Sequence, residues 1–130
     1  MNRTLIAILV FILLMLSSVW EMMYLIDTIE TLDGSVKEIY EYMEKDKENI
    51  DTELNIKMIE QAQKQWDKDK LVLHILLPHN QLNELDYKIT SLNRHIHQND
   101  YNMANTAAAA VIKNCEMILN NFLPALENIL

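Results

Sequence analysis

The apolar and polar positions of this chain divide it into one unpatterned stretch followed by several regularly patterned ones. From Thr4 to Trp20 the residues TLIAILVFILLMLSSVW carry no charge and show no polar face. After Glu21 the apolar character resumes in Met22, Met23, Tyr24, Leu25 and Ile26, then gives way to sequence with helical periodicity. Asp27 to Asp33 runs into Gly34, a residue suited to the left-handed conformation that closes helices. Ser35, with Glu38 three residues on, has the form of a capping box. These signs predict a helix end at Gly34 and a new helix from Ser35, with Val36, Ile39, Tyr40 and Met43 as its apolar stripe. The charged run Glu44 to Glu48 closes that helix, and a break is expected near Asn49–Asp51, with Asp51 as the next cap.

Leu54, Met58, Ile59, Ala62, Trp66, Leu73 and Leu76 continue at helical spacing as far as Leu77. Pro78 then stops the helix, because proline lacks the amide that would bond the preceding turn. Asn80 is the candidate cap of the following helix, in which Leu82, Leu85, Ile89, Leu92 and Ile96 recur at the alternating spacing of an interhelical seam. That seam suits either an internal core contact or a homodimer. Asn99–Asp100 reads as a second break. Beyond it Ala104, Ala108, Val111, Cys115, Ile118 and Phe122 form one stripe, with Ala107 to Ala110 making a thin face for close helix approach. Pro124 is expected to end this helix, and the apolar tail Ala125–Leu130 to dock back on the core. Placed in parallel, Asn49-Ile-Asp51 aligns with Gln98-Asn-Asp100, so each half reads as a helical hairpin. The expected fold is all-α: an N-terminal transmembrane helix followed by a small bundle of about four helices arranged as two αα-hairpins. Residues 1–26 are assigned to the anchor, 27–34 to a juxtamembrane connection and 35–130 to an extracytoplasmic helical domain.

The opening stretch decides the compartment. Leu5 to Trp20 rises roughly 24 Å as a helix, short of a bilayer core of about 30 Å, and extension to Ile26 completes a span. Trp20 and Tyr24 then fall where amphipathic rings favour the headgroup layer. A cleaved signal peptide is the competing reading, but cleavage after Ser17, Ser18 or Val19 would place Met15, Leu16 or Val19 where small residues are needed. Arg3 precedes the span, while Glu21, Asp27, Glu30 and Asp33 follow it with no basic residue until Lys37. This asymmetry predicts a single-pass protein of the cytoplasmic membrane, with its N-terminus inside and its C-terminal domain outside, contacting the bilayer through residues 4–26.

Composition narrows the remaining options. One glycine and two prolines among 130 residues argue against β-hairpin turns and for long helices. With Arg3 set aside, ten basic residues face all 19 acids, so nucleic acid and anionic headgroups are poor partners for the outer domain. The single cysteine, Cys115, excludes an internal disulfide and lies on an apolar helical face as a small hydrophobe.

Candidate chemistry is sparse. His74, His79, His95 and His97 fall in one third of the chain, yet His95 and His97 point to different helix faces, and solvated or capping histidines fit better than a metal site. No nucleophile–base arrangement and no glycine-rich loop is present, so the chain is read as a non-enzyme without cofactor or metal. The one corner singled out is Trp66, His79, Asn80 and Glu84, where two helices meet at Pro78.

Taken in order, several short features resemble a bacterial family, domain of unknown function 4363, of spore-forming Gram-positive bacteria. They are the N-terminal apolar span, Trp66 ahead of an apolar run, and His79 followed by Leu82, Leu85, Ile89 and Leu92. The Asn99–Asp100 turn, Ala104 with Ala108, and the terminal Glu127-Asn-Ile-Leu130 complete them. Asn80-Gln81 departs from the pattern, where an acidic pair is typical. The resemblance implies a single-pass membrane protein with an outward helical domain. It also implies a membrane partner, since such proteins are often encoded beside small multi-pass membrane proteins; it implies no established activity. The expected function is therefore a membrane-anchored extracytoplasmic interaction or accessory protein associating with another membrane protein. The alternative is a helical domain that senses a small molecule or cation.

Overall fold

The computed structural model describes residues 2–129, with side chains as far as Pro124. It contains four helices: α1 (Arg3–Lys45), α2 (Glu53–Leu76), α3 (His79–His97) and α4 (Tyr101–Ile129). No strand occurs among the described residues. Helix α1 packs on α2 and α4, and α3 packs on the same two, so the four close into a ring of antiparallel neighbours. The hairpins α1/α2 and α3/α4 lie side by side in it, as the parallel breaks in the sequence predict.

The main correction concerns α1. The apolar N-terminal stretch and the first bundle helix are one helix of 43 residues, about 64 Å long, with no end at Gly34 and no cap at Ser35. Gly34 keeps a negative φ and lies on the exposed face. Behind it, Leu25, Ile29, Leu32, Val36, Ile39 and Met43 form an unbroken buried seam. A mid-helix glycine costs about 0.5–1 kcal/mol, whereas burying each large aliphatic side chain contributes about 1.5–3 kcal/mol, so the seam carries the helix through. Residues 27–34 accordingly supply Thr28, Ile29, Leu32 and Asp33 to the buried layer. Leu25 and Ile26 are also buried against the other helices, so the unpacked apolar stretch ends near Trp20. A Cβ added at Gly34 would meet nothing within 4 Å. Gly34→Ala is therefore expected to raise stability by about 0.5–1 kcal/mol in urea titrations; a loss would show that α1 bends here.

The other boundaries follow from local chemistry. The cap of α2 is Thr52 rather than Asp51, its hydroxyl accepting from the Asn55 amide at 3.2 Å. Ile50, in the preceding loop, is fully buried and plugs that end of the bundle. Pro78 separates α2 from α3 as predicted and itself occupies the N-cap position, which displaces Asn80 into the first turn. Leu77 before it is extended, as a residue preceding proline favours. The seam Leu82–Ile96 is buried inside the ring, so it is not available as a dimer surface. At the α3–α4 turn Asn99 adopts φ 54° and Asp100 caps α4, accepting from Met103 N at 3.1 Å.

Pro124 does not end α4, which continues to Ile129. Proline removes a single bond, to the carbonyl of Asn120, and both residues lie on the exposed face, where solvent supplies the missing partner. The expected docking of the tail Ala125–Leu130 concerns side chains outside the described residues.

Candidate functional site

The four residues of the predicted corner are not brought together. Trp66, in the middle of α2, is only 2 % exposed, and its Nε1–H donates to Asp86 Oδ1 of α3 at 2.9 Å. Asp86 lies two helical turns along α3 from His79. His79 instead faces His74 across Pro78, ring centroids 5.5 Å apart, with both rings exposed. Asn80 is exposed in the first turn, and Glu84 borders a shallow groove between α3 and α4 with Gln81, Asn114 and Met117.

What the structure does assemble is a polar cluster around the Trp66 indole. Asp86 accepts from Trp66 and also from Lys70 Nζ at 3.2 Å, and Lys70 bridges to Asp67 at the same distance. Hydrogen bonds to Asp67 and Asp86 hold the Lys70 ammonium above its ordinary pKa. One turn further along, the Tyr24 hydroxyl donates to Asp69 at 3.2 Å and ties α1 to the same side of α2. The space beside Trp66, lined by Thr28, Leu32 and Ala62 among others, amounts to ≈ 20 Å³, room for about one water. This is a packed, hydrogen-bonded joint between helices rather than a ligand cavity.

A second cluster lies at the opposite end of the bundle. The Asn99 side chain receives a hydrogen bond from the buried Ile50 amide at 2.8 Å and donates to the Glu48 carbonyl at 2.9 Å. The Asn55 amide adds a bond to the Ile50 carbonyl at 3.0 Å. Beside this stitch the Tyr101 hydroxyl donates to Glu44, which holds the Glu44 carboxyl below its usual range. The two turns that align in sequence are thus bonded to each other in space.

Asp86 was not singled out by sequence, and Asn99 was read only as part of a turn, not as a bond to the first loop. Asp86 follows seam residue Leu85 directly, and a charge on the flank of a seam is a position that faces the neighbouring helix. The partner it meets there is a property of the fold.

The histidines are split between both ends of α3, about 27 Å apart. His74 and His79 sit at the α2–α3 corner, His95 is buried, and His97 contacts Glu60 at 3.2 Å. Among the described residues no group of three or more His, Cys, Asp or Glu side chains is placed to hold a metal. Cys115 is buried, and burial pushes its thiol up to about 12, so it carries no thiolate at neutral pH.

Residues 19–129 match the family described as Domain of unknown function (DUF4363). The match begins where α1 first meets the other helices, at Ser18 to Met22, and covers the bundle. No curated protein and no solved structure matches the chain.

Proposed function

The chain belongs to the DUF4363 family, and from that premise we propose that it is a membrane-anchored, extracytoplasmic helical interaction module whose partner is another membrane protein. The observation that carries this reading is the split character of α1. The helix as a whole is long and apolar enough to cross a membrane, and its most apolar stretch is wholly unburied, whereas its C-terminal part is one wall of a closed bundle. An unburied apolar helix of that length is stable only in lipid or against another apolar helix. Arg3 before the stretch and the acids after it favour the N-terminus inside and the bundle outside.

The continuity of α1 adds a mechanical argument. A helix without a hinge transmits position and rotation, so whatever the anchor packs against in the bilayer also sets how the bundle is presented above it. The bundle contributes an acidic surface whose grooves are open, among them one of ≈ 270 Å³ between α1 and α2 lined by Ser35, Glu38, Gln61 and Gln65. A small-molecule or cation sensor centred on Trp66 is disfavoured by the filled space beside the indole.

Crosslinking of the full chain in its native membranes, followed by mass spectrometry of the adducts, tests the proposal. A specific, reproducible membrane-protein partner is the expected result. Repeated recovery of the uncrosslinked chain alone would overturn it.

A further inference from the structure

The free part of the anchor is too short for the bilayer. Thr4 to Trp20 rises roughly 25 Å as a helix, against a hydrocarbon core of about 30 Å. The residues that would complete the span, Leu25 and Ile26, are buried against protein. Leu76 at the end of α2 and Phe122 near the end of α4 line one crevice with Ser18, Glu21, Met22 and Leu25 of α1. The α2–α3 corner and the lower part of α4 therefore lie alongside the last anchor turns, not above them.

This same end of the bundle is apolar on its outside. Ile75 is 82 % exposed and Leu71, one turn before it on the same face, 69 % exposed. Val72 is exposed beside them, and so are Leu123 of α4 and Trp20 and Met23 of α1. Trp20 stacks on Tyr24, whose hydroxyl reaches Asp69, so the α1 aromatics stand on the α2 side. From Leu71 to Pro78 the sequence LVLHILLP carries no acid, lysine or arginine. Of the other exposed large apolar residues of the bundle, Tyr87 and Met103 share a groove with the charged Lys88 and Arg94.

We infer that the base of the bundle docks into the interface of the membrane that holds the anchor, with Leu71, Val72 and Ile75 seated at the boundary between headgroups and acyl chains. The inference rests on the anchor reading above and adds a second point of contact to it. The occupant is lipid because the patch is continuous with the membrane-crossing helix and held at its level. Interfacial helices seat their apolar faces about 5–10 Å deep, which covers the length the anchor lacks. Glu21, His74, His79 and Asn80 at the same end are exposed and polar, which holds the base at headgroup depth and prevents deeper entry. Docked in this way, the bundle has a fixed tilt and does not swing on its anchor.

Depth-resolved spin labelling of the full chain in vesicles of phosphatidylcholine and phosphatidylglycerol tests this. Labels are placed at Ile75→Cys and Leu71→Cys, with Leu9→Cys as the anchor reference and Glu48→Cys as the aqueous reference. Native Cys115 is buried and escapes labelling. The ratio of collisions with oxygen to collisions with a water-soluble nickel chelate is expected to rise in the order 48, then 71 and 75, then 9. If positions 71 and 75 match position 48 while position 9 is lipid-protected, the docking is overturned and the anchor stands. If 71 and 75 are shielded from both reagents, protein covers the patch, a second copy or a partner, and the lipid assignment is overturned. If position 9 is itself open to the nickel chelate, the anchor reading fails and this inference falls with it.

Discussion

Trp66→Ala is expected to destabilise the bundle by about 3–5 kcal/mol, the range for truncating a large buried aromatic. Domains of this size are stable by about 5–15 kcal/mol in total, so the thermal midpoint should fall on the order of 20 °C. The effect is large because Trp66 does two things at once. Its ring is buried between helices, and its Nε1–H satisfies Asp86, which also carries the Lys70 ion pair. Trp66→Phe separates the two. It keeps most of the burial, removes the donor and leaves Lys70 to hold Asp86, so a loss of about 1–2 kcal/mol is expected. Urea titration of the full chain in mild detergent, followed by far-ultraviolet circular dichroism, measures both variants. Equal losses for alanine and phenylalanine would mean that the hydrogen bond, not the ring volume, holds α2 to α3.

The bundle was legible in the sequence wherever apolar spacing repeats. Every member of the Leu82–Ile96 seam is buried, and so are Val36, Ile39, Met43, Ile59, Trp66 and, on α4, Ala104, Ala107 and Ala108, whereas Ala109 of the expected thin face is exposed. Punctuation by single residues was a weaker guide. Gly34 and Pro124 both carry signals that end helices, and neither ends one, because each lies on an exposed face while the opposite face or the remaining backbone bonds keep the helix intact. Pro78 does end α2. There the following residues turn back to pack as a new seam, so local preference and burial agree. Leu54 shows the converse failure: it has the right spacing for the α2 stripe, yet it faces solvent while Asn55 is buried and bonds the Ile50 carbonyl. A polar residue with a backbone partner can occupy a core position more cheaply than spacing alone suggests.

The candidate corner was legible only in its parts. Trp66 was singled out, but the acceptor of its indole N–H lies 20 positions away and is fixed by the register of α2 against α3. His79 and Asn80 looked like neighbours of that indole because all three stand near Pro78 in the chain. Helix geometry sets Trp66 about three turns up α2 from the corner, which is too far for a side chain to span. The length of α1 mattered in the same way: only its continuity shows that the bundle reaches back along the apolar stretch to Ser18.

Asn99→Ala is the second large effect expected, about 2–4 kcal/mol. Asn99 combines φ 54° with two hydrogen bonds across to the first loop, one of them to the amide of fully buried Ile50. Alanine loses both bonds, worth about 1 kcal/mol each, and adds a Cβ strain of about 1 kcal/mol that asparagine tolerates better. Asn99→Gly removes the strain but not the bonding loss, so a smaller decrease of about 1–2 kcal/mol is expected. Asn99→Asp keeps an acceptor for Ile50 N but sets a carboxylate against the Glu48 carbonyl, so it should fall between wild type and alanine. Hydrogen exchange at the Ile50 amide gives a local readout beside the global one. Its protection should drop in all three variants relative to wild type, least in the aspartate. If Ile50 stays fully protected in Asn99→Ala while global stability falls, backbone strain and not the stitch between the two turns would be the source of the loss. The two hairpins would then be joined by their apolar seams alone, with the turn at Asn99 serving only to reverse the chain.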